Sequence, residues 1–175
     1  MQLQMAFATG EGATMRTLPV IGGRDANAAL VVRTDYGDEG TWRAIAVELT
    51  QPWGVDEEYQ AYVHFVDDPA WTGATPDEVQ AAVRAADRLI SVVFLADSTA
   101  MQHSHYALLA VKVADGEQGN SSTHSEEGVP LSPSFRLEPG AVQDVHGQLF
   151  IDNLSFEDFA EAARRDADDV LRSPY

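Results

Sequence analysis

The sequence predicts an α/β fold, with a single domain built on a mixed, mostly parallel sheet of five to six strands and flanking helices. It should open βαβαβ and then continue β-β-α. Three observations carry this reading. Apolar, β-branched runs at 29–34, 60–66 and 90–96 alternate with stretches whose apolar residues recur at helical spacing. The runs at 90–96 and 107–113 are almost continuously apolar, as in central strands covered on both faces. The 175 residues fit one domain, and a chain of that size buries roughly two thirds of its extended surface.

The first strand, Ala29 to Thr34, closes on the turn residues Asp35-Tyr36-Gly37-Asp38. Trp42, Ile45, Ala46 and Leu49 then place one apolar stripe on a helix that Pro52 and Gly54 terminate. From Tyr59 to Val66 the chain alternates, with Ala61, Val63 and Phe65 on one face and Tyr62, His64 and Val66 on the other. Asp67-Asp68-Pro69 stops that second strand. Thr75-Pro76-Asp77-Glu78 combines an N-cap, a proline at the first helical position and an acid three residues after the cap, so a second helix should follow and bury Val79, Ala82, Val83 and Ala86. The third and fourth strands are 90–96 and 107–113. Only nine residues, Ser98 to Tyr106, separate them, which is too few for a full crossover helix, so the fourth is expected antiparallel to the third. Ser134 to Leu137 reads as a short edge strand, and Ala141, Val142 and Val145 fit a brief helical turn. A last helix starts at the cap Ser155 and buries Phe156, Phe159, Ala160 and Ala163 before an acidic tail. Residues 1–17 read as a flexible tail preceding the domain at 18–175, and 115–133, polar and rich in Gly and Ser, as an inserted surface loop.

Composition narrows the function classes. There is no cysteine, so disulfides, thiolate nucleophiles and Cys-ligated zinc are excluded. A net charge of −17 opposes direct nucleic-acid binding, whose affinity comes from cations neutralising phosphates. The N-terminal stretch has neither a basic start nor a long apolar run, which predicts a cytoplasmic protein with no signal peptide or membrane span.

Leu30 to Tyr36 followed by Trp42, Val93 to Met101, His105 with Leu108-Leu109, Phe135-Arg136 and Asn153 to Phe159 together resemble a family of small acidic actinobacterial proteins that carry a domain of unknown function. The likeness spans roughly 18–170. It departs at Tyr106, where the resemblance implies proline, and in the longer polar stretch after Asp115. The resemblance implies a fold and a bacterial host, and it transfers no catalytic residue.

The sharpest candidate chemistry is positional. Asp35, Asp67 with Asp68, and Asp97 each follow a strand, and parallel strands would gather them at the sheet edge where open α/β folds bind ligands. Asp35, Asp67 and Asp97 could there hold Mg²⁺ for hydrolysis or phosphoryl transfer, with Arg33, Thr34, Ser98 and Thr99 contacting substrate. The plainer use of aspartate after a strand is to form turns and cap helices. His103 and His105 could join Asp97 in a metal site, although an exposed polar turn is the commoner outcome for such a pair. His105 remains a candidate binding residue. Trp53 and Trp71 lie in predicted loops, where they either line a groove or are buried. No phosphate-cradling Gly-rich loop or Gly-x-Ser-x-Gly elbow occurs.

The expectation from these features is a non-catalytic module that binds or regulates a protein, its acidic surface steering it toward a basic partner, with no cofactor. The alternatives are the Mg²⁺-dependent hydrolase or phosphotransferase, and a small-molecule binding protein using the same sheet edge.

Overall fold

A computed structural model describes residues 17–113 and 133–174. The expected tail at 1–17 and insertion at 115–133 lie, apart from their last residues, outside the described residues. In chain order the elements are β1 (Ala29–Arg33), α1 (Glu39–Leu49), β2 (Val63–Val66), α2 (Pro76–Ala86), β3 (Val92–Ala96), α3 (Ser98–Gln102), β4 (Leu108–Lys112), β5 (Ser134–Leu137), α4 (Val142–Phe150), α5 (Phe156–Arg164) and β6 (Val170–Leu171). Short 3-10 turns occupy Pro69–Trp71 and Pro139–Ala141.

All six strands form one sheet in the order β2-β1-β3-β4-β5-β6. The β1 strand lies parallel to both β2 and β3, with Val31 beside Phe65 on one side and Phe94 on the other. As expected, β4 runs antiparallel to β3, and it is antiparallel to β5 as well, whereas β5 and β6 are parallel. The sheet is therefore mixed rather than mostly parallel. The cause is the short connection after β3: it holds only α3, one turn of helix, and cannot carry the chain back to the far end of the sheet as a parallel crossover must.

The local signals of the sequence are realised in the helices. Thr75 accepts a hydrogen bond from the Glu78 amide while the Glu78 carboxylate accepts one from the Thr75 amide, completing a capping box at α2. Ser155 and Asp158 do the same at α5. Asp38, which looked like part of a turn, caps α1 by accepting from the Thr41 amide. Several features depart from expectation. Of the alternating run at 59–66 only Val63–Val66 forms β2, while Tyr59 pairs instead with Trp53. The brief turn expected near 141–145 is the nine-residue α4, which accommodates Gly147 in its interior despite that residue's poor helix propensity. The acidic tail contains β6, a two-residue strand too short to show any periodicity.

Two apolar layers sandwich the sheet. One face packs Val31, Phe94 and Leu137 against α1, α3, α4 and α5 through Trp42, Ile45, Met101, Val145, Phe156 and Phe159. The other packs Leu30, Val32, Val93 and Leu95 against Trp71 and against Val79 and Val83 of α2. Of the α2 residues expected inside, Ala86 is exposed and Gln80 is buried instead, donating to the Lys112 carbonyl. Trp71 is completely buried, so of the two loop tryptophans only Trp53 retains a partly open face. No helix among the described residues is long and apolar enough to cross a membrane.

Candidate functional site

From β1 the chain connects outward to β2 on one side, then returns to β3 on the other, so the strand order reverses between β1 and β3. A crevice opens there, beyond the carboxyl ends of the strands, where ligands enter open α/β sheets. It measures about 590 Å³ and is lined by Thr34, Asp35, Tyr36, Thr72, Gly73, Thr75, Asp97 and Ser98. Thr34 is its floor. The Thr34 amide donates to the Ala96 carbonyl, and the Thr34 carbonyl accepts from the Gly73 amide, which stitches β1, β3 and the loop before α2 together.

The strand-end acids differ sharply in their contacts. Asp35 lines the crevice and accepts from the Gly37 amide at 2.7 Å, forming a local turn. Asp97 also lines it, but both its oxygens are occupied: Oδ1 accepts from the Ala100 amide, capping α3, and Arg136 grips Oδ1 and Oδ2 at 2.7 Å each. Asp67 does not line the crevice. It accepts from the Trp42 indole at 2.9 Å and pairs with Arg33 at 3.3 Å. Asp68 caps the turn at 69–71 by accepting from the Ala70 amide. Among the described residues no group of three or more His, Asp or Glu side chains is placed to hold a metal ion.

Arg33, expected as a substrate contact, is instead almost fully buried on the α1 side of β1. Its guanidinium donates to the Asp35 carbonyl, pairs with Glu39 and Asp67, and lies 4.2 Å from the Tyr36 ring centre and 5.1 Å from that of Trp42. Burial first, and the charge of Asp67 second, hold the Tyr36 phenol well above its ordinary pKa. Ser98 reaches the crevice at the start of α3, whereas Thr99 is exposed and does not line it.

His105 lies elsewhere. The His103 and His105 rings are 5.8 Å apart, the His105 amide donates to His103 Nδ1, and His105 Nδ1 approaches Glu138 at 3.5 Å rather than Asp97. His64 and His146 titrate below the usual histidine range, in both cases chiefly because burial disfavours the charged ring. His124 lies outside the described residues.

His105 opens onto a second cavity of about 540 Å³, bounded by the end of α1 and the loop after it, the approach to β4, and the turn after β5. Glu48, Trp53, Tyr106 and Glu138 line it. Glu138 is tied down by Arg172 at 2.9 Å and by the Ser173 amide at 3.1 Å. Trp53 is fixed by reciprocal backbone hydrogen bonds with Tyr59 and by a tilted ring contact with it, centroids 5.1 Å apart. That hairpin requires glycine at 54, since φ is +97° and a Cβ would stand 2.8 Å from the Tyr59 ring. Tyr106, the position at which the resemblance implies proline, has a φ of +50°, a value the proline ring forbids. None of Glu48, Tyr106 or Glu138 carries a sequence signal. Arg136 had one, a lone cation inside the strand run Ser-Phe-Arg-Leu, but nothing local names its partner.

A family model described as a domain of unknown function, DUF6924, matches residues 28–174. The chain belongs to the DUF6924 family. No curated protein and no solved structure gives a significant match. The DUF6924 segment begins one residue before β1 and ends beyond β6, so it contains the whole sheet and the lining of both cavities. The segments that carried the resemblance fall on β1 and its exit with Trp42 of α1, on β3 running into α3, on β4 and its approach, on β5, and on the start of α5. The DUF6924 description brings no activity with it, and roles for residues rest on their geometry alone.

Proposed function

We propose that the chain is a non-catalytic protein-binding module of the cytoplasm whose acidic surface engages a basic partner. The observation that carries this reading is the use the fold makes of its few cations. There are 11 Lys and Arg against 28 Asp and Glu. Arg24, Arg33, Lys112, Arg136 and Arg172 are each paired with carboxylates of the same chain. Each of these pairs is neutral at a distance and leaves none of the five as a free positive patch, so an approaching molecule meets the field of the remaining excess, a net charge of −17, which speeds encounter with a positively charged protein. The occupied contacts of Asp67 and Asp97 favour a structural over a catalytic use of the strand-end acids. Affinity capture from the native host tests the reading: a basic protein should be retained at about 50 mM salt and released near 200 mM, because screening shortens the reach of the field. Recovery of no basic protein at low salt would refute it.

A second reading, a small-molecule binding protein, is favoured by the lining of the switch-point crevice. Thr34, Thr72, Thr75 and Ser98 line it together with Asp35 and Asp97, and among the described residues no cation does. Such a lining suits a neutral, polyhydroxylated ligand and repels phosphate. Titration with a panel of neutral sugars and polyols, followed by amide chemical shifts of 34–37 and 72–75, separates the two readings.

A further inference from the structure

The 540 Å³ cavity beside the end of β5 has a volume typical of ligand sites, roughly 300–1,000 Å³. Its chemistry is unbalanced. Glu138, on one wall, is already matched by Arg172 and the Ser173 amide. Glu48, at the rim, has no side-chain hydrogen bond or ion pair among the described residues, and its carboxyl is pushed up first by partial burial and second by the charge of Glu138. A cation placed between the two would relieve both effects. The remaining walls include the half-buried rings of Trp53 and Tyr106. Aromatic faces beside a carboxylate favour a weakly hydrated organic cation over a metal ion, which would need a set of oxygen ligands that this cavity does not provide.

We propose that this cavity seats the guanidinium or ammonium head of a basic side chain from the protein partner, between the rings of Trp53 and Tyr106 and with Glu48 as counter-ion. The assignment rests on the reading that the partner is a basic protein, and adds where and how that partner is gripped. A macromolecular source fits better than a free amine because the acidic excess extends over the whole chain, with a net charge of −17, and only a ligand with several cations gains from it. The Trp53–Tyr59 hairpin, locked by Gly54, presents its indole already ordered, which lowers the entropic cost of binding.

The test uses the full chain and a seven-residue peptide with a central arginine between two lysines, with agmatine as the free small cation, both followed by calorimetry and by the Trp53 indole resonance. The peptide should bind and move that resonance. Glu48→Gln and Trp53→Ala should each weaken it about tenfold or more, and so should replacing the central arginine with citrulline, its neutral isostere. The citrulline penalty should vanish in Glu48→Gln, while Asp77→Asn, which removes an acid from α2 on the opposite face of the sheet, should change affinity less than about twofold. Circular dichroism of each variant confirms that it folds. Binding lost at moderate salt but indifferent to Glu48→Gln and Trp53→Ala would overturn the cavity assignment and leave the basic-partner reading standing. No binding at millimolar peptide would overturn both. Agmatine binding as tightly as the peptide would overturn the partner side chain as the source of the cation.

Discussion

Arg136 and Asp97 meet through two parallel hydrogen bonds of 2.7 Å, joining β5 to the end of β3 across the intervening β4. Both side chains are roughly one quarter exposed, so the pair is neither freely solvated nor fully desolvated. In this partly solvated setting the bidentate pair as a whole should contribute about 1–3 kcal/mol. Replacing Arg136 with methionine should cost about 1–3 kcal/mol in urea unfolding, and Asp97→Ala should cost more because the α3 cap goes with it. The double variant should lose less than the sum of the singles, by more than about 0.5 kcal/mol. Strict additivity would mean that the clamp is not an energetic unit.

The acids after β1, β2 and β3 should separate cleanly in stability. Asp67 accepts from the Trp42 indole and is one of two carboxylates paired with the buried Arg33, so Asp67→Ala strands the indole N–H, leaves Arg33 with Glu39 alone, and should cost about 1–3 kcal/mol, with a change in tryptophan emission from Trp42. Asp35 supports only a local turn, and Asp35→Ala should stay within about 1 kcal/mol of the parent. Equal costs at the two positions would contradict the different roles assigned to them.

Those same contacts bear on Mg²⁺. A ligand that binds the folded state raises stability in proportion to the logarithm of its concentration over its dissociation constant. With Asp97 occupied by Arg136 and the α3 amide, and Asp67 by Arg33 and Trp42, the thermal midpoint should not move between zero and about 10 mM MgCl₂ beyond the effect of matched ionic strength. A saturable, Mg²⁺-specific rise abolished by Asp97→Asn would revive the hydrolase or phosphotransferase reading.

What the sequence made legible was local. The capping boxes at Thr75 and Ser155 are encoded within four consecutive residues, and both formed. The stripe of Trp42, Ile45 and Leu49 is buried as its spacing implied, and the four core positions of α5 are all inside. The contacts that decide what the strand-end acids do join residues far apart in the chain: Asp67 with Trp42, and Asp97 with Arg136 across 39 positions. No spacing rule reaches that far, so placing acids at a sheet edge was readable while the direction each carboxylate turns was not. The second cavity was hidden for the same reason, its walls being drawn from the end of α1, the approach to β4 and the turn after β5.

The two capping boxes offer a simple check on helix energetics. Thr75→Ala and Ser155→Ala each remove one acceptor from an otherwise unpaired helix amide and should cost about 1 kcal/mol. The helices lie on opposite faces of the sheet, so the two losses should add within about 0.5 kcal/mol. A large deviation from additivity would show that α2 and α5 communicate through the sheet.

Acidification should weaken the fold before the carboxylates titrate. His146 donates from Nε2 to the Asn27 carbonyl, packs on Phe150, and has its pKa lowered mainly by burial and further by the charge of Arg24; His64 is lowered by the same two causes. A histidine whose folded pKa is depressed leaves the unfolded chain binding more protons below about pH 6.5, so stability present above that value is lost as pH falls toward the folded pKa. Urea midpoints should therefore drop between about pH 7 and pH 5.5, where most carboxylates still hold their charge. His146→Gln, which places an amide nitrogen near the position of Nε2, should flatten that slope even if it lowers stability at neutral pH, and adding His64→Asn should flatten it further. A midpoint independent of pH in the parent, or a slope unchanged in the double variant, would show that these rings carry no proton linkage to folding.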